Sequence, residues 1–234
     1  MPNPAFPAIT RAMDHKQLDG RIALVTGASR GLGAACAEWL AARGAHVVAV
    51  ARTTGGLEEL DDRIQAAGGN ATLAPMDITT EAAMAHLCRS IHDRWGKADI
   101  WVHAAIHATA LTPVGHIREK DLDANINTNI RATARLIAMV EPLIAPSDLA
   151  TAVFFDDEGD PMYSGTYAMS KAAQRALVTR WQAESAKHGP RVALLRPNPM
   201  PTAVRARFYP GETREALAHP RDEAARLLAP LFPG

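Results

Sequence analysis

From residue 21 onward, short apolar runs alternate along this chain with longer stretches of mixed character. Residues 22–25, Ile-Ala-Leu-Val, are continuously apolar and too short for anything but a buried strand. The β-branched run at 45–51 and the segments 71–75, 98–103, 151–155 and 191–195 read the same way. Helical patterns lie between them. Residues 34–40 have a helix-favouring composition, 57–67 are amphipathic, and 81–95 space Met84, Leu87, Cys88, Ile91 and Trp95 at helical intervals. Longer helical patterns cover 117–144 and 164–188. Such alternation predicts right-handed crossovers and an α/β fold, a doubly wound parallel sheet of order 3-2-1-4-5-6 with helices on both faces. After Pro197 the signal weakens into prolines and short helical pieces, with no seventh strand visible. No repeat, low-complexity tract or linker interrupts the pattern, so 19–234 read as one domain. Residues 1–18, with three prolines, read as a loose arm that could order against a partner subunit.

Composition narrows the classes. A chain of 234 residues with 47% hydrophobic content fits a single globular core. Twenty-five basic residues balance 25 acidic ones, so no net field recruits nucleic acid or anionic lipid. No apolar run approaches the roughly 18 residues that span a bilayer, and the first 18 residues lack the apolar segment of a signal peptide. The expectation is a cytoplasmic protein without membrane or nucleic-acid partners. Cys36 and Cys88 lie inside helical patterns rather than in a metal spacing and read as reduced core thiols.

In a doubly wound sheet the ligand lies beyond the C-terminal ends of the strands, so the residues there carry the candidate chemistry. After the first strand comes Thr26-Gly27-Ala28-Ser29-Arg30-Gly31-Leu32-Gly33. Strand, glycine turn and helix together make a phosphate site. Gly27 permits the tight turn, Gly31 lets backbone approach a pyrophosphate, and Gly33 lets the helix pack closely. The helix N-terminus adds unpaired N–H groups and a positive dipole end. Three glycines alone would also serve any tight strand-to-helix turn. After the second strand, Ala51-Arg52-Thr53 offers no acidic group to bind both ribose hydroxyls of NAD. Arg52 and Arg30 could instead clamp a 2′-phosphate, favouring NADP(H) over NAD(H); the plain alternative is two solvated arginines. After the third strand, Asp77-Ile78 could meet an adenine edge, or Asp77 could cap the next helix.

Tyr167 and Lys171 stand four apart in a helical segment and project from one face. A free tyrosine has a pKa near 10, too high for acid–base work at neutral pH. Bringing one near 7 takes about 4 kcal/mol. A lysine ammonium about 4 Å away, at an effective dielectric near 20, supplies about that much. The pair can make a proton donor for a carbonyl reduced by hydride. The pattern is also common by chance as a surface pair, but here it opens the helix after the fifth strand, level with the glycine turn.

Together these residues resemble the short-chain dehydrogenase/reductase family in its compact branch, over about residues 19–205. The resemblance rests on the glycine turn and on Tyr167-Ala168-Met169-Ser170-Lys171 at the family's spacing. It implies a Rossmann-type fold, a nicotinamide cofactor and reversible hydride transfer between carbonyl and alcohol. It implies that Lys171 also holds the nicotinamide ribose. Asn129, in Asn129-Ile130-Arg131-Ala132-Thr133, matches the family's asparagine, which holds a water connecting the lysine to solvent; Asn125 and Asn127 are its near neighbours. Thr202 fits the family's contact to the cofactor amide. Pairing into a homodimer or homotetramer, through the two long helices, is implied as well.

Three positions depart from the family pattern. Its Asn-Ala-Gly after the fourth strand is Ala104-Ala105-Ile106 here, flanked by His103 and His107, which have no cysteine or acidic partner at ligand spacing, so no metal site is expected. Its Pro-Gly after the sixth strand is Pro197-Asn198. Its substrate-holding serine lies thirteen residues before the tyrosine, which falls on Phe154 inside an apolar run. A loop two residues shorter puts Asp156 in that slot, with Ser164 and Tyr163 as nearby hydroxyl substitutes. Loss of one oxyanion donor typically costs about 10²–10³ in rate. The expected function is therefore NADP(H)-dependent hydride transfer to a small carbonyl, with Asp156 or Ser164 orienting substrate. The alternative is a cofactor-binding scaffold or sensor without turnover.

Overall fold

Why the apolar runs become strands is visible in how they alternate. The computed structural model describes residues 16–157 and 161–233. Among them six strands, β1 (Ile22–Thr26), β2 (His46–Ala51), β3 (Asn70–Pro75), β4 (Ile100–His103), β5 (Thr151–Phe155) and β6 (Arg191–Leu195), pair in parallel in the order β3-β2-β1-β4-β5-β6. Successive side chains point to opposite faces. Ala23, Val25, Val47, Ala49 and Val102 thus join a core with α1 (Gly31–Ala42) and α2 (Thr54–Ala66). Ile22, Leu24, Val48, Val50 and Phe154 join a second core with α3 (Glu81–Trp95) and later helices. Both faces being buried explains the continuously apolar strands. Cys36 and Cys88 are buried in opposite cores, and Trp101 packs with Phe154 and Trp181 in the second.

The helical pattern at 117–144 is not one helix. It resolves into α4 (Glu119–Asn125), a π-helical segment at Ile126–Ala132 and α5 (Thr133–Ile144). Asn125 and Asn129 are both fully buried there, where an unbroken amphipathic helix would be expected to bury apolar groups. The π turn accommodates them by widening the helix at a polar site. The fourth strand also starts later than the expected 98, at Ile100. Asp99 just ahead of it still bonds both neighbouring strands, its N–H to the Ile22 carbonyl at 2.8 Å and its carbonyl to the Thr151 N–H at 3.0 Å, and its carboxylate accepts the Ile22 N–H at 2.8 Å.

α6 (Gly165–Ser185) follows β5. Beyond β6 come α7 (Ala203–Phe208), a short 3-10 turn and α8 (Pro220–Leu228). α8 places Ala224 and Leu228 in the first core against α1, and no seventh strand forms among the described residues. Of the arm expected over 1–18, residues 1–15 lie outside the described residues. Leu18 is buried, its N–H bonded to the Arg43 carbonyl at 2.8 Å.

Candidate active site

A cleft of about 750 Å³ crosses the C-terminal ends of the strands, at the β1–β4 switch point. One end is made by backbone. Gly27 has φ 79°, and a Cβ there would stand 2.5 Å from Ala105 N and 2.6 Å from the Ala104 carbonyl carbon. The chain leaving β4 passes directly against the turn, which only glycine permits. A Cβ on Gly33 would overlap the Gly27 carbonyl oxygen, so α1 starts on the turn itself. No side chain caps α1. Ser29, Arg30, Gly31, Leu32 and Gly33 line the cleft, where an uncapped helix N-terminus presents N–H groups that can receive an anion. These residues fit a nucleotide pyrophosphate, whose phosphates the first-turn N–H groups would hold.

Arg30, Arg52, Asp77, Ile78, Ala104, Pro197 and Thr202 also line this cleft. Arg52 is 64% exposed, with a guanidinium nitrogen 3.9 Å from Asp77 Oδ2. The other oxygen of Asp77 accepts from Thr79 N at 2.9 Å and Thr79 Oγ1 at 2.8 Å, turning the chain just ahead of α3. Thr202 Oγ1 accepts the Arg205 N–H at 3.2 Å and so caps α7. Asn198, where the family pattern has glycine, needs no left-handed backbone. Tyr163 is the one non-glycine residue at positive φ among the described residues. Asn198 is tied instead to buried Glu223, through its backbone N at 2.6 Å and its Nδ2 at 3.1 Å.

The other end is made by side chains. Tyr167, 4% exposed, packs its ring edge-on against Phe208 at 4.9 Å. Lys171, one turn on, donates to the Phe155 carbonyl at 2.5 Å and to Gln174 Oε1 at 2.7 Å. Burial pulls its pKa down to about 8, against Asp156 and Asp157, which hold it up, while Arg175 lowers it further. Asn129 lies behind the cleft wall. Its Oδ1 accepts the His107 N–H, and its Nδ2 donates to the His107 carbonyl and to Ser170 Oγ, each at 2.8 Å. It therefore fixes the glycine-less segment Ala104-Ala105-Ile106 from the far end.

Of the two aspartates after β5, the one that reaches Tyr167 is not the one expected. Asp156 N still donates to the Leu195 carbonyl at 2.8 Å, continuing the β5–β6 ladder. The period of two then directs its side chain to the Phe154 face. There, 2% exposed, its Oδ2 meets Arg175 Nη1 at 3.2 Å and Arg196 Nε at 3.7 Å. Asp157, one residue further, accepts the Tyr167 hydroxyl on Oδ2 at 3.0 Å. Ser164 is buried at the start of α6 and does not line the cleft. His103, buried at the end of β4, is bonded on both nitrogens to threonines; burial and Lys171 press its pKa down to about 3, so it stays neutral.

Known proteins resemble this chain over most of its length. The family model for short chain dehydrogenases matches residues 21–213. The oxidoreductase Lin0452 of Listeria innocua is 29% identical over 216 residues, covering 86% of this chain and 83% of that protein. Glycine betaine reductase ATRR of Emericella nidulans is 28% identical over 183 residues, 77% of this chain but 14% of that longer protein. The solved structure of a metagenomic short-chain oxidoreductase in complex with NADP has a TM-score of 0.79 at 26% identity, covering 93% of each chain.

Proposed function

This chain belongs to the short-chain dehydrogenase family, and on that footing we propose that it is an NADP(H)-dependent oxidoreductase acting on a small carbonyl or alcohol. The observation that carries the reading is a single cleft joining the glycine turn to Tyr167 and Lys171. Arg30 and Arg52, beside that turn, supply the positive charge that a 2′-phosphate requires, and a solved relative binds NADP.

When bound, the nicotinamide supplies hydride to the carbonyl carbon. Tyr167 gives its hydroxyl proton to the carbonyl oxygen as negative charge develops there. Lys171, one helical turn from Tyr167, carries its positive charge below about pH 8 and would hold the nicotinamide ribose. Asn129 supports the site from behind by fixing the His107 backbone. Phe208 and Met200 make the substrate side of the cleft apolar. The test is NADPH oxidation against a panel of aldehydes and ketones, expected to be measurable in the wild type and lost in Tyr167→Phe. The acting form is a homodimer or homotetramer, checked by light scattering at micromolar concentration.

A second reading, cofactor binding without turnover, is favoured by Asp157. Its carboxylate accepts from the hydroxyl that must donate to substrate, and it offers an acceptor where a second donor is needed. NADPH binding with no oxidation across the panel selects it.

A further inference from the structure

Buried polar groups in a sheet protein need partners, and one row of them runs from the cleft into the second core. Gln174 is 3% exposed and Thr133 fully buried; His103 is 3% exposed and Thr26 fully buried. Lys171 Nζ donates to Gln174 Oε1 at 2.7 Å, and Gln174 Nε2 donates to Thr133 Oγ1 at 3.2 Å. Thr133 Oγ1 lies 3.1 Å from His103 Nε2, and His103 Nδ1 lies 2.8 Å from Thr26 Oγ1.

Each role in this row is fixed by counting protons. Lys171 can only donate, so the Gln174 oxygen must face it and the Gln174 nitrogen must face Thr133. The one Thr133 proton goes to the Asn129 carbonyl at 2.8 Å, within the π turn. Thr133 therefore accepts from both Gln174 and His103, and the neutral imidazole carries its proton on Nε2 while Nδ1 accepts from Thr26. The amide that receives the ammonium is held at its other end by Thr133, which His103 from another element holds in turn.

We infer that Gln174 is a positioning residue for Lys171, an amide anchored through Thr133 and His103 that fixes where the ammonium sits and how long it stays charged. This rests on the proposed function only in supposing that Lys171 acts on Tyr167. The groups facing the ammonium are Asp156 and Asp157 after β5, Arg175 on α6, and neutral His103 on β4. Burial lowers the Lys171 pKa to about 8; Gln174 is a neutral acceptor opposing that pull.

The experiment is an NMR pH titration of the Lys171 side chain in protein with isotopically labelled lysine, the resonance being assigned by its loss in Lys171→Arg. The wild type is expected to titrate near pH 8. Gln174→Glu places a carboxylate at the ammonium and should raise the midpoint by about one to three pH units. Gln174→Met removes the acceptor and should lower it. Thr133→Val, which releases the anchor without touching Lys171, should change the midpoint in the direction of Gln174→Met. The alkaline limb of kcat/KM should follow in each case. A midpoint unchanged in folded Gln174→Glu and Gln174→Met overturns the inference. Because the titration needs no turnover, absence of NADPH oxidation would count against the proposed function alone.

Discussion

The two ends of the cleft are built from different materials. At the cofactor end the shape is backbone: Gly27 lies against Ala104 and Ala105 with no room for a Cβ, and α1 begins on the turn. Its arginines, Arg30 and Arg52, are exposed. At the substrate end the shape is side chains that hold one another, with Asp157 on Tyr167, Gln174 on Lys171, and Arg175 and Arg196 on Asp156. A backbone site tolerates surface change and fails abruptly when sterics are violated. A side-chain site is graded and responds to charge. Substitutions at the two ends should therefore separate cofactor affinity from chemistry.

The largest effect is expected from Tyr167→Phe, which removes one oxygen and the proton donor. kcat/KM should fall by about 10²–10⁴, while calorimetry finds NADPH affinity little changed. A parallel loss of affinity would show that the ends are not separable. Gly27→Ala should do the reverse, weakening NADPH binding by more than about tenfold, since the left-handed φ and the close Ala105 N both oppose a side chain.

Lys171→Met should abolish assistance to Tyr167 yet stabilise the fold. The folded pKa of about 8 lies below the ordinary lysine value of 10.5, so the charged form is disfavoured in the native state. That cost is fully present at pH 7, below both values, and disappears as pH rises from about 8 to 10.5. Denaturant unfolding should find the variant more stable at pH 7 by about 1–3 kcal/mol, with the gap shrinking above pH 8. A variant less stable at both pH values would contradict this sign. The smallest effect is expected from Arg52→Ala. An exposed guanidinium already 3.9 Å from Asp77 should change the NADPH-over-NADH preference by about two- to fivefold.

What the sequence made legible follows the same division. The sheet order, the glycine turn and the helical placement of Tyr167 and Lys171 are local patterns, since strand period, glycine spacing and a four-residue helical step each fix geometry within a few residues. Three features were not legible. The π turn at Ile126–Ala132 shares its residues with a helical pattern, and only the run of asparagines at 125, 127 and 129 hinted that polar groups point inward. The switch from Asp156 to Asp157 depends on β5 keeping one more ladder bond, to Leu195, than its apolar run suggests. Gln174, Thr133 and His103 come together from α6, α5 and β4, which no spacing along the chain connects.

The central claim, an intact cofactor end facing a charge-limited substrate end, is tested most directly by Asp157→Ser. NADPH affinity and carbonyl reduction should be measured on the same preparation beside the wild type. Serine exchanges an acceptor-only carboxylate for a hydroxyl that can donate to the developing oxyanion. The account predicts unchanged NADPH affinity and a kcat/KM raised by about tenfold or more. Unchanged affinity with activity abolished would contradict it, and would make Asp157 a working part of the reaction.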